Sequence, residues 1–119
     1  MVIKTRTPQY LQYDVVAISG DNLNLSVSWR DATGAYVDFS GATGKGQIKL
    51  DKTDTESVEE FTVALGSTAN NIQFSLTAAQ VAALTVGNKY YYDIQITEGA
   101  NIRTYIIGYL KTTQDVSRP

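Results

Sequence analysis

Leu23-Asn24-Leu25-Ser26-Val27-Ser28-Trp29-Arg30 is the stretch on which the fold turns. Its apolar and polar side chains alternate strictly, so one face is greasy and the other wet. That period of two belongs to a half-buried strand, not to a helix. Trp29 shares the phase of Leu25 and Val27, which assigns its ring to the core rather than to a ligand platform. Turn residues bound the stretch on both sides. Gly20-Asp21 precedes it, and Asp31-Ala32-Thr33-Gly34 follows, where Gly34 adopts a positive φ at low cost.

Similar segments extend outward in both directions. Residues 11–18 read as a first strand and 36–39 as a short extended piece. Residues 47–50 form a strand with Ile48 and Leu50 inward. Residues 58–65 follow with Phe61, Val63 and Leu65 on one face. A turn region over 66–71 leads to Ile72, Phe74 and Leu76, which alternate with Gln73 and Ser75. One short helix is predicted over 77–84. Thr77-Ala78-Ala79-Gln80 is a capping box, in which the Thr hydroxyl accepts from the third amide and the Gln side chain reaches back. Strands at 89–97 and 103–113 close the chain, joined by a hairpin loop at 98–101.

The sum is an all-β chain: an immunoglobulin-like antiparallel β-sandwich of about seven strands with one short helix. Residues 1–10 are expected to be an N-terminal arm, 11–116 the sandwich and 117–119 a C-terminal tail. Leu84, Gly87 and Tyr90 fall three apart before the alternating Tyr92, Ile94 and Ile96. This spacing resembles the tyrosine corner of such sandwiches, where the Tyr hydroxyl bonds to backbone a few residues upstream. That role is assigned to Tyr90.

Composition narrows the function. The 119 residues suit one domain with a sizeable core. There is no cysteine and no histidine, which removes disulfides, thiolate chemistry, His-dependent triads and nearly all transition-metal sites. Net charge is −2 with both signs dispersed along the sequence, so no basic stripe announces nucleic acid. No apolar run resembles a signal peptide or is long enough to span a bilayer, so folding in a cytosol without membrane insertion is expected. Neither an enzyme nor a cofactor is expected.

Weak motifs receive bland readings. Gly41-Ala42-Thr43-Gly44-Lys45-Gly46 has Phe39 where a phosphate loop has its first Gly, and Gly46 where the loop has its hydroxyl, so it reads as a flexible turn. Asp51, Asp54 and Glu56 lack calcium-loop spacing and read as a solvated connection. Adjacent Glu59 and Glu60 point to opposite faces of a strand and make no carboxylate pair. The tyrosines carry more information. With Tyr90, Tyr92, Ile94 and Ile96 inward, Tyr91, Asp93, Gln95 and Thr97 face out; in the last strand Tyr105, Ile107 and Tyr109 are expected outward beside them. Such a stripe suits an interface with a partner; the alternatives are a reversed strand phase or cover by the N-terminal segment. Val2 and Ile3 are candidates to add to a neighbour's sheet edge.

Taken in order, Gly20-Asp21, Asp38-Phe39-Ser40-Gly41-Ala42, Leu76-Thr77-Ala78-Ala79-Gln80, Tyr92-Asp93, Gly108 and Asp115-Val116-Ser117-Arg118 resemble an immunoglobulin-like module of tailed-bacteriophage virion proteins. The similarity is to the N-terminal domain of baseplate upper proteins and to tail-fibre attachment segments, over about residues 10 to 118. It implies a non-enzymatic tail, baseplate or fibre-attachment module, assembled in the host cytoplasm into a virion and docking to other virion proteins, with homo-oligomerisation expected. Ser117 stands where the family has Thr, and the chain stops at Pro119 where longer members continue, so an adaptor or decoration subunit is expected rather than a receptor binder. A capsid decoration protein and a carbohydrate-binding module recognising a host-surface glycan are the alternatives.

Overall fold

The computed structural model describes residues 2–3 and 10–114. The end motif 115–118, the tail 117–119 and arm residues 1 and 4–9 lie outside the described residues. Among the described residues there are ten strands and one helix: β1 (Val2–Ile3), β2 (Leu11–Gln12), β3 (Val15–Ile18), β4 (Leu23–Val27), β5 (Trp29–Arg30), β6 (Thr43–Lys49), β7 (Glu59–Leu65), β8 (Ile72–Leu76), α1 (Ala78–Ala83), β9 (Lys89–Glu98) and β10 (Asn101–Thr113). The fold is all-β.

Hydrogen bonds run without a break along β2-β10-β9-β6-β7-β8-β4, with β3 also on β10. The result is a single curled sheet. β7 is where it turns: residues 59–61 pair with β6, and residues 62–65 pair with β8. The β8–β4 end thereby folds back over β9 and β10. Aromatic rings fill the fold. Phe61 meets Phe74 at 5.1 Å and Tyr92 at 5.4 Å, and Phe74 lies 5.9 Å from Tyr92 on the facing strand.

The expectation of a wholly antiparallel sheet is corrected. β2 and β3 run parallel to β10, and β1 runs parallel to β5. Antiparallel pairing is enforced only where a tight turn joins two strands. Leu11 and Val15 pair with Ile106 and Leu110, far along the chain, so no hairpin sets their direction.

Residues 11–18 do not form one continuous strand. Tyr13 and Asp14 interrupt it, although β2 and β3 keep a common register against β10. The Tyr13 amide donates to the Ile107 carbonyl at 2.9 Å, and Asp14 Oδ1 accepts from the Tyr109 amide at 3.1 Å. The Tyr92 hydroxyl donates to the Tyr13 carbonyl. Gly108 makes room for this crossing, since a Cβ there would fall onto the Tyr13 carbonyl oxygen and 2.7 Å from its carbon.

The turn reading of residues 41–46 is likewise corrected, since Gly44 and Gly46 lie within β6. A Cβ on Gly44 would strike Val63 Cγ1; one on Gly46 would come within 2.8 Å of Ile94 and Phe61 atoms. These glycines let core side chains lie against the strand. Leu50 follows the end of β6 and is exposed rather than inward. Of residues 36–39, only Tyr36 bridges, to Arg30, while Phe39 is fully buried.

Asn71, read from sequence as a turn residue, is fully buried. Its Oδ1 accepts from the Trp29 amide at 2.7 Å, and its Nδ2 donates to the Trp29 and Val37 carbonyls at 2.9 and 2.8 Å. It replaces the ladder where β4 gives way to β5. α1 keeps its capping box: Thr77 Oγ1 accepts from the Gln80 amide at 3.2 Å, and Gln80 Oε1 accepts from the Thr77 amide at 2.9 Å. Val81 is its buried anchor.

Candidate functional site: a tyrosine–lysine groove on the outer sheet face

Core-facing positions of β9 are Tyr90, Tyr92, Ile94 and Ile96, which leaves Tyr91, Asp93 and Gln95 on the outer face. Pairing then builds two rows across the sheet. In one, Gln47, Asp93, Ile107 and Gln12 are neighbours; in the other, Lys49, Tyr91 and Tyr109 are neighbours. The Tyr91 and Tyr109 rings meet edge to face at 5.2 Å. Lys89 Nζ stands 3.7 Å above the Tyr109 ring, and Lys52 Nζ is 5.2 Å from the Tyr91 ring centre, both within cation–π range. Tyr10 helps to wall a groove of about 420 Å³ over these rows.

Charge is segregated. Lys45, Lys49, Lys52, Lys89 and Lys111 belong to this face or its rim, with Asp14, Glu60 and Asp93. The other described residues carry Arg30 and Arg103 against eight carboxylates. The near-neutral total therefore hides a basic face on an acidic body. Burial pushes the Asp93 carboxyl pKa up, and Lys49 and Lys45 only partly offset that rise.

Tyr91, Ile107 and Tyr109 are thus brought together, half-buried, on the outer face. Tyr105 is not among them, and its expected outward position is corrected: it is buried. A bulge between Thr104 and Ile106 shifts the register and leaves both Tyr105 and Ile106 inside. The Tyr105 ring packs edge-on against Trp29 at 4.9 Å and Phe39 at 5.4 Å. Val2 and Ile3 pair with Trp29 and Arg30 of their own chain.

At the corner, the Tyr90 hydroxyl accepts from the Thr85 amide at 2.9 Å, five residues upstream. Leu84 is buried beside it, and Gly87 has φ +90°. The Thr112 hydroxyl donates to the Thr85 carbonyl at 3.0 Å, tying the corner to β10. This constellation is architectural: its hydrogen bonds tie the Thr85 backbone to β9 and β10.

Sequence reasoning placed Asp93 outward but gave it no role, and it missed Tyr10, Lys49, Lys52 and Lys89. Lys89 shares the phase of Tyr91 within one strand, whereas Lys49 joins them only once strand register is known, and Lys52 comes from the loop after β6. In the acidic loop, Asp51 Oδ1 accepts from the Thr53 amide at 3.1 Å, and Asp54 Oδ2 accepts from the Asp51 amide at 3.1 Å, so these carboxylates serve their own turn. No group of three or more acidic side chains among the described residues is arranged to hold a metal ion. No known family model matches the chain, and no curated protein matches its sequence.

Proposed function

We propose that this chain is a non-enzymatic structural module of a tailed-bacteriophage virion, an immunoglobulin-like unit that joins the tail, baseplate or a fibre through protein–protein contacts. The ordered motifs described above support the virion setting. The observation that carries the contact reading is the open edge at β3. β3 pairs with β10 on one side and with no strand on the other among the described residues. Its solvent-side residues are apolar, Val16 at 66% exposure and Ile18 at 44%. Edges of monomers are normally blunted by charge, proline or a bulge. Within β3 there is none of these, and Lys111 opposite Val16 is the nearest gatekeeper. A strand from a neighbouring subunit would find the Val16 backbone and two greasy side chains there, the Ile18 carbonyl already accepting from the Asp21 amide at 3.0 Å.

Light scattering across micromolar concentrations tests this. The wild type is expected to self-associate, and Val16→Lys with Ile18→Lys to remain monomeric with an unchanged circular dichroism spectrum. Antibody labelling of native particles separates the settings: label on the tail or baseplate supports the proposal, and label on the head replaces it with capsid decoration. Unlabelled particles together with a monomeric wild type would refute it. Carbohydrate binding is a second reading, favoured by the groove and independent of the β3 edge.

A further inference from the structure

Two buried side-chain polar atoms among the described residues have no hydrogen-bond partner: Arg30 Nε and Asp93 Oδ1. The first belongs to an engaged guanidinium, whose Nη2 donates to the Tyr36 hydroxyl at 2.7 Å and whose plane lies over the Tyr36 ring. Asp93 has no such explanation. A buried acceptor left without a donor is destabilising and rare in native folds. Its carboxylate lines the groove, between Gln47 and Ile107 and next to the Tyr91–Tyr109 pair. That oxygen is covered as it stands, so a ligand that enters the groove and moves the side chains over it would supply the missing donor.

We infer that the groove is a binding site for an acidic saccharide. A hydroxyl of the sugar donates to the Asp93 carboxylate, the apolar side of the ring rests on Tyr91 or Tyr109, and the sugar carboxylate pairs with Lys49, Lys52 or Lys89. The lysine positions select the charge of the ligand. Lys89 and Lys52 already sit on the tyrosine rings. A neutral sugar must displace those ammonium groups without replacing their interaction, whereas an acidic sugar draws them onto itself and uncovers the rings. The groove holds one or two sugar rings by size. A longer polyanion such as single-stranded nucleic acid would leave the lysines and meet the acidic body, and its phosphates would face Asp93.

Isotope-labelled full-length chain titrated at low salt tests the assignment. The probes are trigalacturonic acid, sialyllactose, neutral maltotriose and lactose, and a four-residue oligothymidylate. At least one acidic saccharide is expected to shift the Tyr91, Asp93 and Tyr109 amides saturably, with neutral counterparts about tenfold weaker. Asp93→Ala is expected to weaken binding about tenfold without lowering the melting temperature, because that oxygen has no partner inside the fold. Lys89→Ala is expected to reduce the preference for acidic over neutral ligand. Equal affinity for acidic and neutral sugars, silence toward both acidic probes at millimolar concentration, or tighter binding of the oligothymidylate would each overturn the inference.

Discussion

Replacing Gly108 by alanine probes the crossing of β10 with the N-terminal segment. The glycine is required for space rather than for backbone angle, since its φ is not in the left-handed region. A methyl group there lands on the Tyr13 carbonyl, which is main chain and cannot swing aside as a flexible side chain would. Relieving the overlap moves residues 13–14 off β10. Three hydrogen bonds go with them: Tyr13 amide to Ile107, Tyr109 amide to Asp14, and Tyr92 hydroxyl to the Tyr13 carbonyl. At about 1 kcal/mol each, the loss is about 3 kcal/mol. For a chain of 119 residues that corresponds to a fall of roughly 12 °C in melting temperature. Urea unfolding followed by fluorescence of Trp29, the single tryptophan, measures it. Gly41→Ala is the control, because a Cβ there meets nothing within 4 Å. It should change stability by less than about 1 kcal/mol. Tyr92→Phe should cost about 1 kcal/mol alone and less on top of Gly108→Ala, because the acceptor has already moved. A Gly108→Ala variant as stable as the Gly41 control would refute the crossing as described.

Two further outcomes follow from buried polar groups. Asn71→Ala should destabilise by about 3–5 kcal/mol, since it strands an amide and two carbonyls in the core, and Asn71→Asp should cost more because a carboxylate would face both carbonyls; urea midpoints for the pair decide this. For Asp93, burial raises the folded-state pKa above its unfolded value of roughly 3.9. Its contribution to stability is therefore fully present below that value and is lost as pH rises through the folded pKa. Asp93→Asn should then be the more stable protein at neutral pH, with the gap closing toward pH ~4. A gap independent of pH would contradict the burial argument.

Local patterning carried what is local. The alternation over 23–29 put Leu25, Val27 and Trp29 on one face, and the Thr77–Gln80 capping box marked the helix start, because both depend on neighbours within four residues. What escaped depends on partners far along the chain. The bulge that turns Tyr105 inward is a register event between β9 and β10, and no residue near 105 announces it. Gly44 and Gly46 read as turn formers because glycine's other use, giving way to an approaching side chain, depends on Val63, Phe61 and Ile94. Asn71 looked like a loop residue because its three partners are supplied by Trp29 and Val37. The groove was half legible: the tyrosines, the outward phase of Asp93 and the shared phase of Lys89 could be read, but Lys49 joined them only through the order β6-β9-β10 and Lys52 through the loop after β6, which no local pattern encodes.

The long last strand has a bearing on how the chain is made. Val15 waits for Leu110, and Leu11 for Ile106, so during synthesis from the N-terminus the opening strands emerge long before their hydrogen-bonding partner leaves the ribosome. Through that interval their backbone groups and apolar side chains are open to other nascent chains. Closure by a final, sequence-distant strand is also entropically demanding, so folding should be slow for a protein of this size. The same greasy edge that is proposed to serve assembly is thus a hazard to a ribosome-bound chain.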